Sequence, residues 1–416
     1  MAQLQDGSIL VGVTEPTGGF GTVGYDALAT GAGRLLRLTD TNQDGIADGP
    51  GTIVASLDAA VLSVRTAGNL VIAATAGNGS DPGSRALNIV LFQTGAQPTD
   101  SYTNLGSLDF LLDAGALPGN IAIAVRPAPG QAGSYELFFA IPAGSHEGTA
   151  IGTVALSGLA SAPALAPGSI HRVVITPAGG GGGGGGPVTV SAPVLVATGI
   201  RVSAGISFAS DGSLLISDNG YQSYATGDQI SADELNSLSP GTIAGGSSFL
   251  GYDANYPDYA TGAFVGGAGV APLAAFIPIP GQESRGAGEV TQAPAWFPNG
   301  LDSGYLVGFH GIWDNVGASN PINPVYWVDP LTGAYFPFVA GGQAGMGHPN
   351  GLLSTGDGFY IADLFTISTF TAESGAIYML APADPDAEVP EPASAALLVI
   401  VAAAGSILAG RKPRRR

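Results

Sequence analysis

The chain has 416 residues, of which 45% are hydrophobic and 11% charged, with 66 Gly, 30 Pro and no Cys. That composition excludes disorder driven by charge excess, and with it disulfides, thiolate metal sites and cysteine nucleophiles. The formal charge is −19, and residues 1–380 carry 28 Asp and Glu against eight Arg and no Lys, a surface that repels phosphate backbones and argues against nucleic acid as a partner.

The chain opens with MAQLQDGSILVGVTEP, which has neither a basic region nor an apolar run of signal-peptide length. It enters a strand-like run almost at once. Because the tail described below implies export, the expectation is that the natural start lies upstream and carries a leader.

A phrase then recurs along the body: a Gly-bearing turn followed by a short apolar or alternating run. It appears as QDGSILVGVTE (5–15), AGNLVIAATA (67–76), QAGSYELFFAIPAG (131–144), SDGSLLISDNG (210–220), DSGYLVGFHG (302–311) and GDGFYIADL (356–364). The turn residues supply positive φ or an Asx turn, and the run suits a strand buried on both faces. Four copies are trailed by a second strand, at 33–40, 169–177, 323–330 and 375–380. Six units over the body give roughly 63 residues each, longer than a compact propeller blade, and insertions such as 221–300 account for the excess. The expected fold is all-β, a six-bladed β-propeller over 1–380; the rival is a pair of β-sandwiches.

Between the first and second copies lies DTNQDGIADG (40–49). Asp40, Asn42, Asp44 and Asp48 fall at positions 1, 3, 5 and 9 of an EF-hand-like loop, with Gly45 at 6. Position 12 is Gly51, so no bidentate Glu closes the loop. A structural Ca²⁺ is expected there, the bland alternative being an Asx-rich turn without an ion. Eight glycines (179–186) separate two strand-like runs and read as a hairpin tip within one blade.

The four His residues are His146, His171, His310 and His348, and none forms an HExxH pair. His171, in an apolar strand, reads as structural. No G-x-S-x-G elbow occurs, and Lys is absent before position 412, which excludes a P-loop and a Schiff base. The three Trp, at 296, 313 and 327, cluster near the fifth phrase, where aromatic rings either stack on a sugar face or pack between blades.

The chain ends in three parts: a Pro-rich acidic linker (381–392), an uncharged stretch (393–410) and five basic residues in the last six positions. As a helix the uncharged stretch would be about 27 Å long, close to a hydrocarbon core, and the cations after it hold that end in the cytoplasm. Pro390, Glu391 and Pro392, the apolar span and the cluster ending in Arg414, Arg415 and Arg416 together resemble the PEP-CTERM sorting signal of bacteria with exosortases. The resemblance implies export, an inner-membrane intermediate, handling by an exosortase-type membrane enzyme, and delivery to the cell surface, outer envelope or extracellular matrix.

The body resembles the glucose/sorbosone dehydrogenase-like propellers, whose best-known members bind pyrroloquinoline quinone (PQQ). The likeness rests on ATGIRVSAGISFASDGSLLISDNG (197–220), SADELNSL (231–238), FPNGLDSGYLVGFHGIWD (297–314) and GHPNGLLSTGDGFYIADLFT (347–366), in the family's order. It implies a cofactor or substrate pocket at Arg201, Asp218, Asn219, Asp233, Glu234, Trp313 and His348. Arg201 matches the arginine that faces the quinone's carboxylates, but the Asn after it is Val202, and His348 replaces the arginine of the family's G-R-P. The strand that bears the family's catalytic histidine reads GNIAIAVRPAPG (119–130) and has none. His310 is then the replacement base, provided that it points into the central pocket. Two functions follow: an exported propeller that binds saccharide or polysaccharide and is a degenerate relative of the sugar dehydrogenases, or a working quinone-dependent sugar or aldehyde dehydrogenase.

Overall fold

The computed structural model describes residues 1–15, 32–42, 46–78, 85–95, 97, 99–112, 121–143, 152–177, 188–221, 223, 228–252, 254–267, 269–278, 286–310, 324–339, 348–363 and 375–382. Met1–Leu380 forms one compact unit, an all-β six-bladed propeller. The apolar stretch 393–410, the 179–186 glycines and the sorting residues Pro390, Glu391, Pro392, Arg414, Arg415 and Arg416 lie outside the described residues. Among the described residues, no helix is long and apolar enough to cross a membrane.

Blade 1 is a four-stranded antiparallel sheet of β1 (Ala2–Gln3), β2 (Ile9–Glu15), β3 (Ala32–Leu38) and β4 (Thr52–Leu57). Blade 2 begins with β5 (Ala60–Ala67), β6 (Leu70–Asn78), β7 (Arg85–Gln93) and β8 (Thr103–Leu112). The chain starts blade 3 with β9 (Ile123–Pro127) and β10 (Tyr135–Ile141), then returns to the outer edge of blade 2 with β11 (Val154–Gly158) and β12 (Ala162–Leu165). Blade 3 is completed by β13 (Ser169–Thr176), β14 (Thr189–Val190) and β15 (Val194–Thr198). Blade 4 holds β16 (Ser203–Phe208), β17 (Leu214–Asp218) and β18 (Asp233–Leu238). An excursion follows: a short helix α1 (Pro240–Gly245), then β19 (Ser248–Phe249), which pairs parallel with β15, and the hairpin β20 (Tyr256–Pro257) and β21 (Phe264–Val265). The chain then closes blade 4 with β22 (Ala274–Phe276). Blade 5 is β23 (Ala287–Gln292), β24 (Tyr305–Phe309), β25 (Val325–Val328) and β26 (Tyr335–Val339). Blade 6 is β27 (Pro349–Ser354), β28 (Phe359–Asp363) and β29 (Ala376–Leu380).

The recurring phrase is the entry into the second strand of every blade: β2, β6, β10, β17, β24 and β28. Of these, β6, β10, β17 and β24 are continuous apolar runs because neighbouring blades cover both of their faces. In β6, Leu70, Ile72, Ala74 and Ala76 join a core shared with blade 3, whereas Val71 and Ala73 join one shared with blade 1. In β10, Leu137, Phe139 and Ile141 face blade 2, and Phe138 and Ala140 face blade 4. Likewise Leu214 and Ile216 of β17 face blade 3, while Leu215 faces blade 5. A last cluster, with Leu306, Trp327 and Phe359, fills the space between blades 5 and 6.

Trp327 is thus a packing residue, its indole N–H donating to the Leu301 carbonyl at 2.9 Å. Trp296 meets Phe297 edge to face at 4.8 Å beside the same cluster. His171 is also structural: its ring stacks on Phe139 at 5.8 Å, and burial lowers its pKa to about 4.

Candidate functional site

The site grows out of the first hairpin of blade 4. Asp211 accepts from the Ser213 backbone N–H at 2.8 Å, and Gly212 takes φ 84°, so the chain reverses within the SDGS turn. The antiparallel register then sets Ser203 opposite Asp218 at the far end. There the Asp218 carboxylate accepts from the backbone N–H groups of Arg201, at 2.9 and 3.1 Å, and Val202, at 2.8 Å. Blade 6 repeats the device: Asp363, at the end of β28, accepts from the His348 backbone N–H at 2.6 Å.

Asp218 faces Glu234 in the register of β17 and β18. Asp233, one residue earlier, is a bridge between blades: one oxygen accepts from Gly220 N–H and the other from Ala287 N–H of blade 5, each at 2.7 Å. Glu234 is 8% exposed, and one of its oxygens accepts from the Asn236 amide at 3.0 Å. Its other oxygen accepts no hydrogen bond from the described residues. Arg201 spends its guanidinium on backbone carbonyls, donating to Gly220 at 2.7 Å and to Asn219 at 3.4 Å.

Beside these groups opens a shallow cleft, with Arg201, Asp218 and Glu234 among its lining residues. Three tyrosines wall it: Tyr221, Tyr252 and Tyr256. Tyr221 stands nearly perpendicular to both neighbours, 6.3 Å from Tyr252 and 5.1 Å from Tyr256. Burial raises the pKa of Asp218 to about 6, despite the backbone N–H groups and the Arg201 charge that pull it down. Burial likewise raises Asp233 to about 7. Glu234 rises to about 8, through burial first and then the negative charge of Asp218. The cleft combines aromatic walls, hydrogen-bond acceptors and an excess of carboxyl groups over its one guanidinium.

Of the residues expected at a pocket, Arg201, Asp218, Asn219 and Glu234 line this cleft, and Asp233 stands behind it. His310 and His348 lie one and two blades away and do not line it. The His310 ring packs on Gly286, where a Cβ would sit 2.3 Å from its Cε1. The His310 carbonyl oxygen contacts Nδ1 of His348. Trp313 lies outside the described residues, as does Asp44 of the loop expected to hold Ca²⁺. In that loop Asp48 accepts from both the backbone N–H and the hydroxyl of Thr41, at 2.7 and 2.8 Å. Among the described residues, no three His, Asp or Glu side chains converge as a metal site. The sequence reading missed the tyrosines, all of which fall in the stretch taken as an insertion. Their recurrence in YQSY and GYDANYPDY was the available signal.

No protein-family model matches the chain, and no curated protein matches it. Solved structures do. The holo PQQ domain of pyranose dehydrogenase from Coprinopsis cinerea is 13% identical, with 91% of this chain and 98% of that one covered at a TM-score of 0.46. The PQQ-bound aldose sugar dehydrogenase from Streptomyces coelicolor is 15% identical, with 91% and 92% covered at 0.45. A putative oxidoreductase (glucose dehydrogenase) from Thermus thermophilus is 15% identical, with 87% and 89% covered at 0.44. The chain is a six-bladed β-propeller, and the solved structures to which it is similar include the PQQ domain of a pyranose dehydrogenase and a PQQ-bound aldose sugar dehydrogenase.

Proposed function

We propose that the protein is an exported propeller that binds saccharide in the blade 4 cleft, on a dehydrogenase-like scaffold without the dehydrogenase's cofactor chemistry. The observation that carries this reading is the lining itself. Tyr221, Tyr252 and Tyr256 offer ring faces and edges to a sugar, while Asp218, Asn219 and Glu234 offer hydrogen-bond acceptors to its hydroxyl groups. PQQ carries three carboxylates, and the described residues of the cleft do not fit it. Their one guanidinium donates to backbone carbonyls and stands beside the Asp218 carboxylate, which leaves no cluster of cations to neutralise three carboxylates. Export rests on the tail, whose PEP-CTERM-like order implies an exosortase-type partner and a surface or matrix destination. Ca²⁺ at 40–48 is proposed on ligand spacing alone.

The test is calorimetric titration of the purified full chain with hexoses and their oligomers. Saturable binding is expected, weakened at least tenfold in Tyr221→Ala, because aromatic anchors dominate such sites. Turnover of a sugar with an artificial electron acceptor, dependent on added PQQ and lost in Arg201→Ala, would overturn the reading. Fractionation of cells making the chain with and without 390–416 tests delivery, and equal distribution of the two forms would remove the sorting role.

A further inference from the structure

Glu234 is the odd member of the cleft. It is more than nine-tenths buried, yet only one of its carboxyl oxygens meets a donor among the described residues. Asn236, which supplies that donor, is fully buried, and its own amide oxygen has no partner among them. The second Glu234 oxygen opens on the cleft, and no donor among the described residues completes it. Nor does the surrounding charge complete it. Asp218 from β17 and Asp233 from β18 face it as like charges, and Arg201 is the cation on that side, already donating to the Asn219 and Gly220 carbonyls. The remaining titratable walls are the phenols of Tyr221, Tyr252 and Tyr256.

A carboxyl oxygen that opens on a cleft walled by aromatic rings is an arrangement that receives an organic cation. The rings attract the cation through their negative faces while the carboxylate takes its N–H groups. Neutral sugars satisfy the rings but bring no charged donor to the Glu234 oxygen.

Resting on the saccharide reading above, we propose that the blade 4 cleft selects amino sugars, with Glu234 receiving the free ammonium group against the Tyr221, Tyr252 and Tyr256 walls. Binding then requires ionised Glu234. Its raised pKa means that it holds a proton near neutrality, so entry of the ammonium group at pH 7 expels that proton to solvent.

Glucosamine, glucose and N-acetylglucosamine are titrated separately into the purified full chain at pH 7, in two buffers of different ionisation enthalpy. The expected result is that glucosamine binds roughly tenfold tighter than the other two, the order of an aromatic and carboxylate contact to a cation. Its binding also releases a proton. In Glu234→Gln the preference falls to about one and the proton release disappears. Equal affinities for the three sugars in the unaltered protein would overturn the amino-sugar inference and leave the saccharide reading standing. Absence of binding by all three would sink both. Choline bound more tightly than glucosamine, or Ca²⁺ that displaces glucosamine from Glu234, would also overturn the inference, because the cleft would then be a site for a cation without the sugar. Should Glu234→Gln fail to fold, the proton count on the unaltered protein still decides: a preference for glucosamine without proton release rules Glu234 out.

Discussion

Asp218, Asp233 and Glu234 give the folded protein an unusual acid response. In the unfolded chain such carboxyl groups titrate near 4, whereas the folded values are raised to about 6, 7 and 8. Between about pH 4 and 8 the native state therefore binds more protons than the unfolded state, so stability falls as pH rises through that window. The unfolding midpoint is expected to be higher at pH 5 than at pH 8. The formal charge of −19 acts in the same direction through self-repulsion, so the discriminating comparison is Glu234→Gln, in which the decline with pH should be shallower. Parallel pH profiles for the two proteins would dismiss Glu234 as a contributor. Arg201, Asp218 and Glu234 were legible in the sequence through the family resemblance of 197–220 and 231–238, which names these positions. The tyrosines were not, because the excursion that carries two of them has no repeat period to place it.

At the scale of the element, the second strands are what made the architecture readable. Each follows a turn with its own residue chemistry, and β6, β10, β17 and β24 are apolar at successive positions because they lie between two blades. The outer strands carry no such signal. β11 and β12 return to blade 2 after blade 3 has begun, and β19 pairs parallel with β15 through two residues. Pairings so short, and so far apart in the chain, leave no periodicity to detect. Between blades the fit depends on glycine. A Cβ on Gly205 of β16 would lie 2.5 Å from the Glu289 Cα and 2.6 Å from the Gly288 carbonyl oxygen of β23, both of them backbone atoms that cannot step aside. Gly205→Ala is expected to cost at least about 1–3 kcal/mol, as overpacking does. It should lower the urea midpoint and loosen the Ser217 hydroxyl contact to the Gly288 carbonyl, 2.5 Å long. An unchanged midpoint would mean that blades 4 and 5 slide apart without penalty.

For the ring as a whole, the innermost strands need a link across the axis as well as around it. Arg65 of β5 supplies it. Its guanidinium meets Glu289 of β23 at 2.6 Å and donates to the Ile206 carbonyl of β16 at 3.0 Å, joining blades 2, 4 and 5. Arg65 and Glu289 are only 15% and 9% exposed, so breaking the pair from one side strands a charge away from water. Arg65→Met is expected to destabilise by about 3–5 kcal/mol, whereas Arg65→Met combined with Glu289→Met should recover most of that loss, since a packed apolar pair does not carry the desolvation cost. Urea unfolding of the two single variants and the double variant closes the cycle. If the double variant loses as much as the two singles combined, the residues act independently and the axial link is no link. If it recovers, the ring is held both around its rim and across its axis. Apolar packing and hydrogen bonds such as Ala287 N–H to Asp233 join neighbours, and the buried Arg65–Glu289 pair couples strands that no sheet hydrogen bond connects.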